Sequence, residues 1–397
     1  MKEAPYAWVV VWATFVALAV IFGVSYSFAA FFAAFAAEFD AQRADVSLVF
    51  GLSGGVYFVF GAGGGMLADR FGPRLVTSAG MVLIAAGLLL GSAAQGMSTV
   101  YAAYGVGVGL GIALVYTPSI GCVQPWFKQR RGLAAGLASA GIGAGTVVVP
   151  LAAAAAIDAL QWRDAMRALA AAVLVVGLAA TLLLKRAPVA GAAAGAAQAV
   201  RIPGATLREA LHDHRFWWLY ASVVLAAPGM FIPFAHVSAA ARDLGIDAPR
   251  AVGLVGLIGI GSLVGRFVIG ALADRIGRLL TLLLMQLSSG LALVVWLGAG
   301  GYAALAVFAL WFGLSYGGIV SLLPALCMDL FGARAVAGII GTLYTGAALG
   351  NLAGPVLAGA VFDRSGSYAP VIVGCIALSA LAALACARLK ALRGAAY

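Results

Sequence analysis

Twelve mostly apolar stretches alternate along this chain with short polar turns, at about 6–32, 47–67, 75–93, 99–123, 132–156, 166–184, 216–240, 250–272, 279–297, 302–327, 337–361 and 369–387. Each carries few charges and approaches or exceeds the ~20 residues that a helix needs to cross a hydrocarbon core. The pattern predicts an all-α membrane protein with twelve transmembrane helices, referred to below as spans 1 to 12. Composition agrees: 64% of the 397 residues are hydrophobic and 10% charged, against about 25% charged in a soluble domain. Mean hydropathy is +1.06. The first run is too long and too aromatic for a signal peptide and lacks a small-residue cleavage site, so it is expected to stay as span 1.

The basic residues sort unevenly between the turns. Seventeen lie on one side, six on the other, and Arg266 is left inside a span. The positive-inside rule then predicts that both termini are cytoplasmic. The turns are short, which fits a multi-pass protein of a bacterial-type inner membrane. The net charge of +10 is therefore a topology signal and does not point to nucleic acid.

Gly65-Met66-Leu67-Ala68-Asp69-Arg70-Phe71-Gly72 returns 205 residues later as Gly270-Ala271-Leu272-Ala273-Asp274-Arg275-Ile276-Gly277. The same offset carries Gly141, Gly145, Pro150 and Asp158 onto Gly346, Gly350, Pro355 and Asp363. The chain is thus read as two pseudo-symmetric six-helix bundles, 1–185 and 216–397, joined by a cytoplasmic linker at 186–215. Paired bundles of this kind suggest a site between them that opens alternately to either side. In the linker, 190–199 is rich in Ala and Gly, and Leu207 to Leu211 is expected to form a short amphipathic helix. Glycines three or four apart, as in spans 2, 4, 5, 8 and 11, let helix backbones approach closely in lipid. Cys122, Cys327, Cys375 and Cys386 lack paired spacing and read as packing residues, with no disulfide and no metal site.

Asp69, Arg70, Asp274 and Arg275 form the two charged turns. Each Asp lies at a helix C-terminal end, where the dipole does not favour an acid, so it calls for a partner from outside its helix. A cytoplasmic gate between the halves fits that need; a purely topogenic loop is the alternative. Arg266 lies eight residues before Asp274, about 12 Å into the membrane at 1.5 Å per residue, and its repeat partner is Gly61. Burying an Arg there costs about 2.5–3.5 kcal/mol, and no acid lies deep in any span. Either backbone carbonyls satisfy it, or the missing anion is a ligand.

His236 follows Pro228 and Pro233 on span 7, a span expected to bend or break there. Asp243 lies two turns further on nearly the same face. The pair reads either as a proton path or as a packing histidine with a solvated loop acid. Tyr116, Tyr316 and Tyr344 lie away from the estimated span ends. There a phenol can donate to a carboxylate while its ring packs on an apolar body.

GxLADRxG between spans 2 and 3, repeated between spans 8 and 9, resembles the signature loop of the major facilitator superfamily. Trp126-Phe127-Lys128-Gln129-Arg130-Arg131-Gly132-Leu133-Ala134-Ala135-Gly136 resembles the segment entering span 5 of its monocarboxylate transporters. Glu3-Ala4-Pro5-Tyr6-Ala7-Trp8 is similar to their span 1 signature with both glycines lost. The resemblance implies a cytoplasmic lock at the signature loops when the carrier faces outward. It also implies a carboxylate ligand at Arg266, with Tyr116 and His236 as partners. The family's acid one turn before that Arg is Ser262 here, which puts its usual proton route in doubt and shifts interest to Asp243. The related oxalate–formate exchangers resemble the chain too, through Leu343-Tyr344-Thr345, but the lysine they carry on span 11 is absent.

The function expected is proton-coupled symport of a small lactate- or pyruvate-like monocarboxylate by alternating access. The alternative is an organic-anion exchanger of the oxalate–formate type without proton coupling. No catalytic cluster of nucleophile and base is found in the spans, so neither an enzyme nor a cofactor is expected.

Overall fold

The structure, a computed structural model, describes residues 5–127, 131–187, 204–332 and 334–394. Glu3, Lys128 to Arg130 and the Ala/Gly-rich 190–199 lie outside the described residues. Eleven described helices are long and apolar enough to cross a membrane. One of them, Ala134–Leu182, is 49 residues long, about 74 Å at 1.5 Å per residue and so more than two bilayer cores. It breaks at Gln161, where φ is +68°, and makes spans 5 and 6. The remaining spans are Pro5–Glu38, Arg43–Phe71, Pro73–Ser92, Met97–Val123, His214–Asp243, Ala248–Ile276, Arg278–Leu297, Tyr302–Phe331, Val336–Ser365 and Ala369–Leu389. Twelve crossings put both described ends on one face, here the linker face; the other is the far face.

Most helices run several residues past their apolar stretches, because backbone hydrogen bonding continues into the polar boundary where charged residues can sit. Span 7 is one continuous helix despite Pro228 and Pro233, whose loss of backbone bonds neighbouring helices tolerate. Span 4 contains a π-helical stretch, Tyr101–Val108. Residues 72 and 277 turn sharply with φ of +94° and +93°, a region that glycine enters without steric cost. The linker re-emerges as the helix Leu207–His212, closed by a capping box between Thr206 and Glu209. Ala205 N–H donates to the Phe331 carbonyl at 2.7 Å, tying the linker to the end of span 10.

The repeat is visible as packing. Gly141 and Gly145 lie against the backbone of span 1 at Phe15 and Ala19, and their equivalents Gly346 and Gly350 lie against span 7 at Val224 and Ala227. Gly261 and Gly265 likewise admit span 10 at Leu310 and Leu314. Small residues do here what apolar burial does in water, since lipid offers no hydrophobic incentive for helices to associate. All four cysteines are free and buried.

Candidate substrate cavity and the lock beside it

Between the halves lies a cavity with about 650 Å3 of empty space, open solvent at its mouth included. Arg266, Tyr116, Tyr316 and Tyr344 all line it, joined by Phe22, Tyr57, Phe58, Phe231 and Gln286. The walls are thus mainly aromatic and aliphatic, with one cation and no carboxylate among the described lining residues. Span 8 brings Arg266 to the wall because Gly261 and Gly265 seat the helix tightly on span 10, fixing the face that the side chain presents. Its Nε is buried without a hydrogen-bond partner, and no salt bridge to it occurs among the described residues.

On the far-face side the cavity is sealed by aromatic rings contributed by both halves. Tyr26 of span 1 stacks on Phe234 of span 7 with ring centroids 4.2 Å apart. The Tyr26 hydroxyl lies 3.0 Å from that of Tyr316, so Tyr316 is both cavity wall and inter-half bond.

His236 takes a different place from the one expected. It is fully buried outside the cavity, packed among spans 1, 2 and 11 and Tyr368 of the turn before span 12. Its Nε2 lies 2.8 Å from the Pro355 carbonyl and 3.1 Å from Ser47 Oγ. A carbonyl only accepts, so Nε2 carries the hydrogen and Nδ1 accepts from the Tyr368 hydroxyl at 3.0 Å. These partners leave the ring no free nitrogen for a ligand. Asp243 does not touch it. Arg43 connects the two, with a two-pronged ion pair to Asp243 at 2.8 and 2.6 Å and a bond to the Tyr368 hydroxyl at 2.6 Å. The Arg43 guanidinium also lies over the Phe362 ring. Asp363 of span 11 accepts from the backbone N–H groups of Arg43 and Ala44 at 3.1 and 2.9 Å. Deeper, Asn351 Nδ2 donates to Phe50 and Gly51 carbonyls at 3.3 and 3.4 Å, which Gly51 and Gly54 permit by letting span 11 close on span 2.

Among the described residues, every inter-half hydrogen bond and ion pair lies in this far-face lock or at the Tyr26–Tyr316 plug. Among the described residues, no hydrogen bond or ion pair joins the two charged turns. Asp274 is 3.7 Å from Arg278 of its own half, which also holds Asp329 at 2.6 Å. The backbone carbonyls of Ala68 and Asp69 accept from Arg186, where the linker starts. Asp69, Arg70 and Arg275 are exposed.

The sequence model of the Major Facilitator Superfamily matches residues 13–355. The chain belongs to the Major Facilitator Superfamily. Monocarboxylate transporter 13 of Bos taurus is 30% identical over 372 residues, covering 92% of this chain and 85% of that protein. MFS transporter asaE of Aspergillus flavus is 29% identical over 315 residues, covering 78% and 70%. The crystal structure of a bacterial homolog of the human lysosomal transporter Spinster, in an inward-facing and unoccupied conformation, matches with a TM-score of 0.72. At 15% identity, over 98% of this chain and 97% of that one, this likeness is one of fold. This superfamily member is a multi-pass membrane transporter.

Sequence reasoning overlooked Tyr57 and Gln286 at the cavity, Tyr26 at its seal, and Arg43, Ser47, Asn351, Asp363 and Tyr368 at the lock. Gln286 and Asn351 carried a usable signal, as carboxamides in the middle of otherwise apolar spans. Arg43 and Tyr368 carried none, because turn residues between spans are ordinarily charged or aromatic.

Proposed function

We propose that this transporter carries a small monocarboxylate together with a proton across an inner membrane, with both termini and the 186–215 linker cytoplasmic. One observation carries the reading: Arg266 is a cation with a buried, unpartnered Nε in a cavity whose described lining residues include no acid. A carboxylate supplies both the missing charge and two acceptor oxygens for the guanidinium fork. Tyr116, Tyr316 and Tyr344 offer hydroxyls to the same anion, and the surrounding rings accept its apolar body. The neighbouring monocarboxylate transporter supports the substrate class.

The distribution of contacts supports alternating access. The halves, 1–185 and 216–397, rock about the cavity. In the state described, the far face is locked and the cytoplasmic gate at Asp69, Arg70, Asp274 and Arg275 is open. In the opposite state these turns join across the halves and the far lock parts.

Proton coupling is assigned to His236 and Asp243 through the lock. A proton added at His236 Nδ1 turns it from acceptor to donor towards the Tyr368 oxygen, which also accepts from Arg43, and sets an imidazolium near the Arg43 guanidinium, so that like-charge repulsion loosens the lock. Arg43 and Asp363 at the far-face end, with Asp243 beyond Arg43, are the charged groups facing that ring. Opening is thereby favoured when a proton has been taken up.

Uptake of labelled lactate or pyruvate into proteoliposomes tests the central assignment. Arg266→Ala should abolish saturable uptake while the protein remains inserted and folded. Arg266→Lys should lose most of it, because a point charge does not reproduce the planar two-donor geometry. Unaltered affinity in the alanine variant would remove Arg266 from the site.

A further inference from the structure

Gln286 gives the cavity a second polar end. It belongs to span 9, is 1% exposed and lines the same cavity as Arg266. Its Nε2 donates to Ser222 Oγ at 3.4 Å, and Ser222 lies 3.1 Å from Cys386 Sγ. That arrangement leaves Oε1 facing no donor; it is buried and without a partner among the described residues. Two residues of the cavity wall therefore carry unsatisfied buried atoms of opposite demand, a cationic N–H at Arg266 and a neutral carbonyl oxygen at Gln286. The walls include apolar groups of spans 7 and 10, among them Val223, Ala226, Ile319 and Leu323.

A simple short-chain carboxylate satisfies Arg266 and leaves Gln286 orphaned. Buried polar groups in folded proteins are almost always paired, so the pattern points to a ligand that reaches both. We propose that Gln286 is a specificity residue selecting carboxylic acids whose distal end carries a hydrogen-bond donor, a hydroxyl or an N–H, beyond an apolar body. This rests on the Arg266 reading above and extends it: the carboxylate sits at Arg266 and the donor meets Gln286 Oε1.

Binding to the purified protein can be measured with two matched sets of probes. One is 3-phenylpropionate, 3-(4-hydroxyphenyl)propionate and 3-(4-methoxyphenyl)propionate; the other is hexanoate and 6-hydroxyhexanoate. In the unmodified protein at least one hydroxylated acid should bind about three- to tenfold tighter than its parent, the worth of one net hydrogen bond. The methoxy acid, which accepts but cannot donate, should gain nothing. Gln286→Leu should erase the preference, so that each hydroxylated acid and its parent bind that variant alike. Gln286→Met, unbranched and of similar volume, serves if the leucine variant fails to fold. No preference in the unmodified protein, a preference that survives either substitution, or equal binding of methoxy and hydroxy acids would overturn the role of Gln286. Those results leave the carboxylate site standing if Arg266→Ala abolishes binding of every probe. Probes that bind Arg266→Ala as tightly as the unmodified protein would instead defeat the carboxylate reading itself.

Discussion

Arg43 and Arg266 are the same residue type with opposite circumstances. Arg43 has an acid, a phenol and an aromatic face for its guanidinium, whereas Arg266 keeps a buried Nε without a partner. Identity alone says little about role; the partner set separates a cation tied into the structure from one proposed to await a ligand. The same contrast bears on His236, whose ring nitrogens are both engaged in the neutral tautomer. Adding a proton to the ring reverses the Tyr368 bond and sets a second cation near Arg43. Replacing His236 by Gln, or Asp243 by Asn, is expected to uncouple uptake from an imposed pH gradient more than it weakens substrate binding. Uptake by proteoliposomes at several imposed gradients checks this. Unchanged pH dependence in both single variants and in the double variant would make them structural residues.

Helix ends break the symmetry of the repeat. Span 8 caps itself, with the Asp247 side chain accepting from Arg250 N–H. Its counterpart, span 2, follows Gln42 and has no side-chain cap from its own N-cap residue. The cap comes from the opposite half instead, through Asp363. The equivalent acid in the first half, Asp158, faces residues 248 and 249 by the repeat, and Pro249 has no N–H to offer. Asp158 lines a crevice together with Arg242 and Ala248. The far face is therefore fastened on the side of spans 2 and 11. An N-cap is worth about 1 kcal/mol, roughly a fivefold change in the closed-to-open ratio at 1.4 kcal/mol per decade. Asp363→Ala should accordingly speed far-side labelling of a cysteine placed at Ala347, on the cavity wall, by about that factor. An impermeant maleimide, used after the four native cysteines are changed to alanine, reads it. An unaltered labelling rate would reduce Asp363 to a passive surface acid.

At the scale of the whole molecule, the proposed reading makes charge balance in the cavity the selector of what crosses. A dianion beside Arg266 alone keeps one uncompensated charge in low dielectric, at a penalty of several kcal/mol unless it is protonated or solvated. A monoanion has no such deficit. Competition against labelled lactate should therefore rank monocarboxylates well above oxalate or malonate. A lysine introduced on span 11 at Ala347, which lines the cavity, should move the ranking towards the dianions. Strong competition by oxalate in the unmodified protein would favour the organic-anion exchanger reading.

The apolar runs, the 205-residue repeat and the superfamily were legible in the sequence, because length, hydropathy and motif spacing are local properties that lipid reads directly. The cavity was legible in part: Arg266, Tyr116, Tyr316 and Tyr344 are polar groups in apolar spans, and an expensive residue announces itself. Other assignments waited on the fold. Nothing along the chain says that Arg43 meets residues 200 and 325 positions away, or that Gln286 shares a cavity with Arg266. Partnership of this kind depends on how two bundles meet, and that is decided by glycine-mediated approach between distant helices. Tertiary structure thus moved His236 from the cavity to the lock and left Arg266 and Gln286 unsatisfied, because only packing determines which polar atoms find a partner.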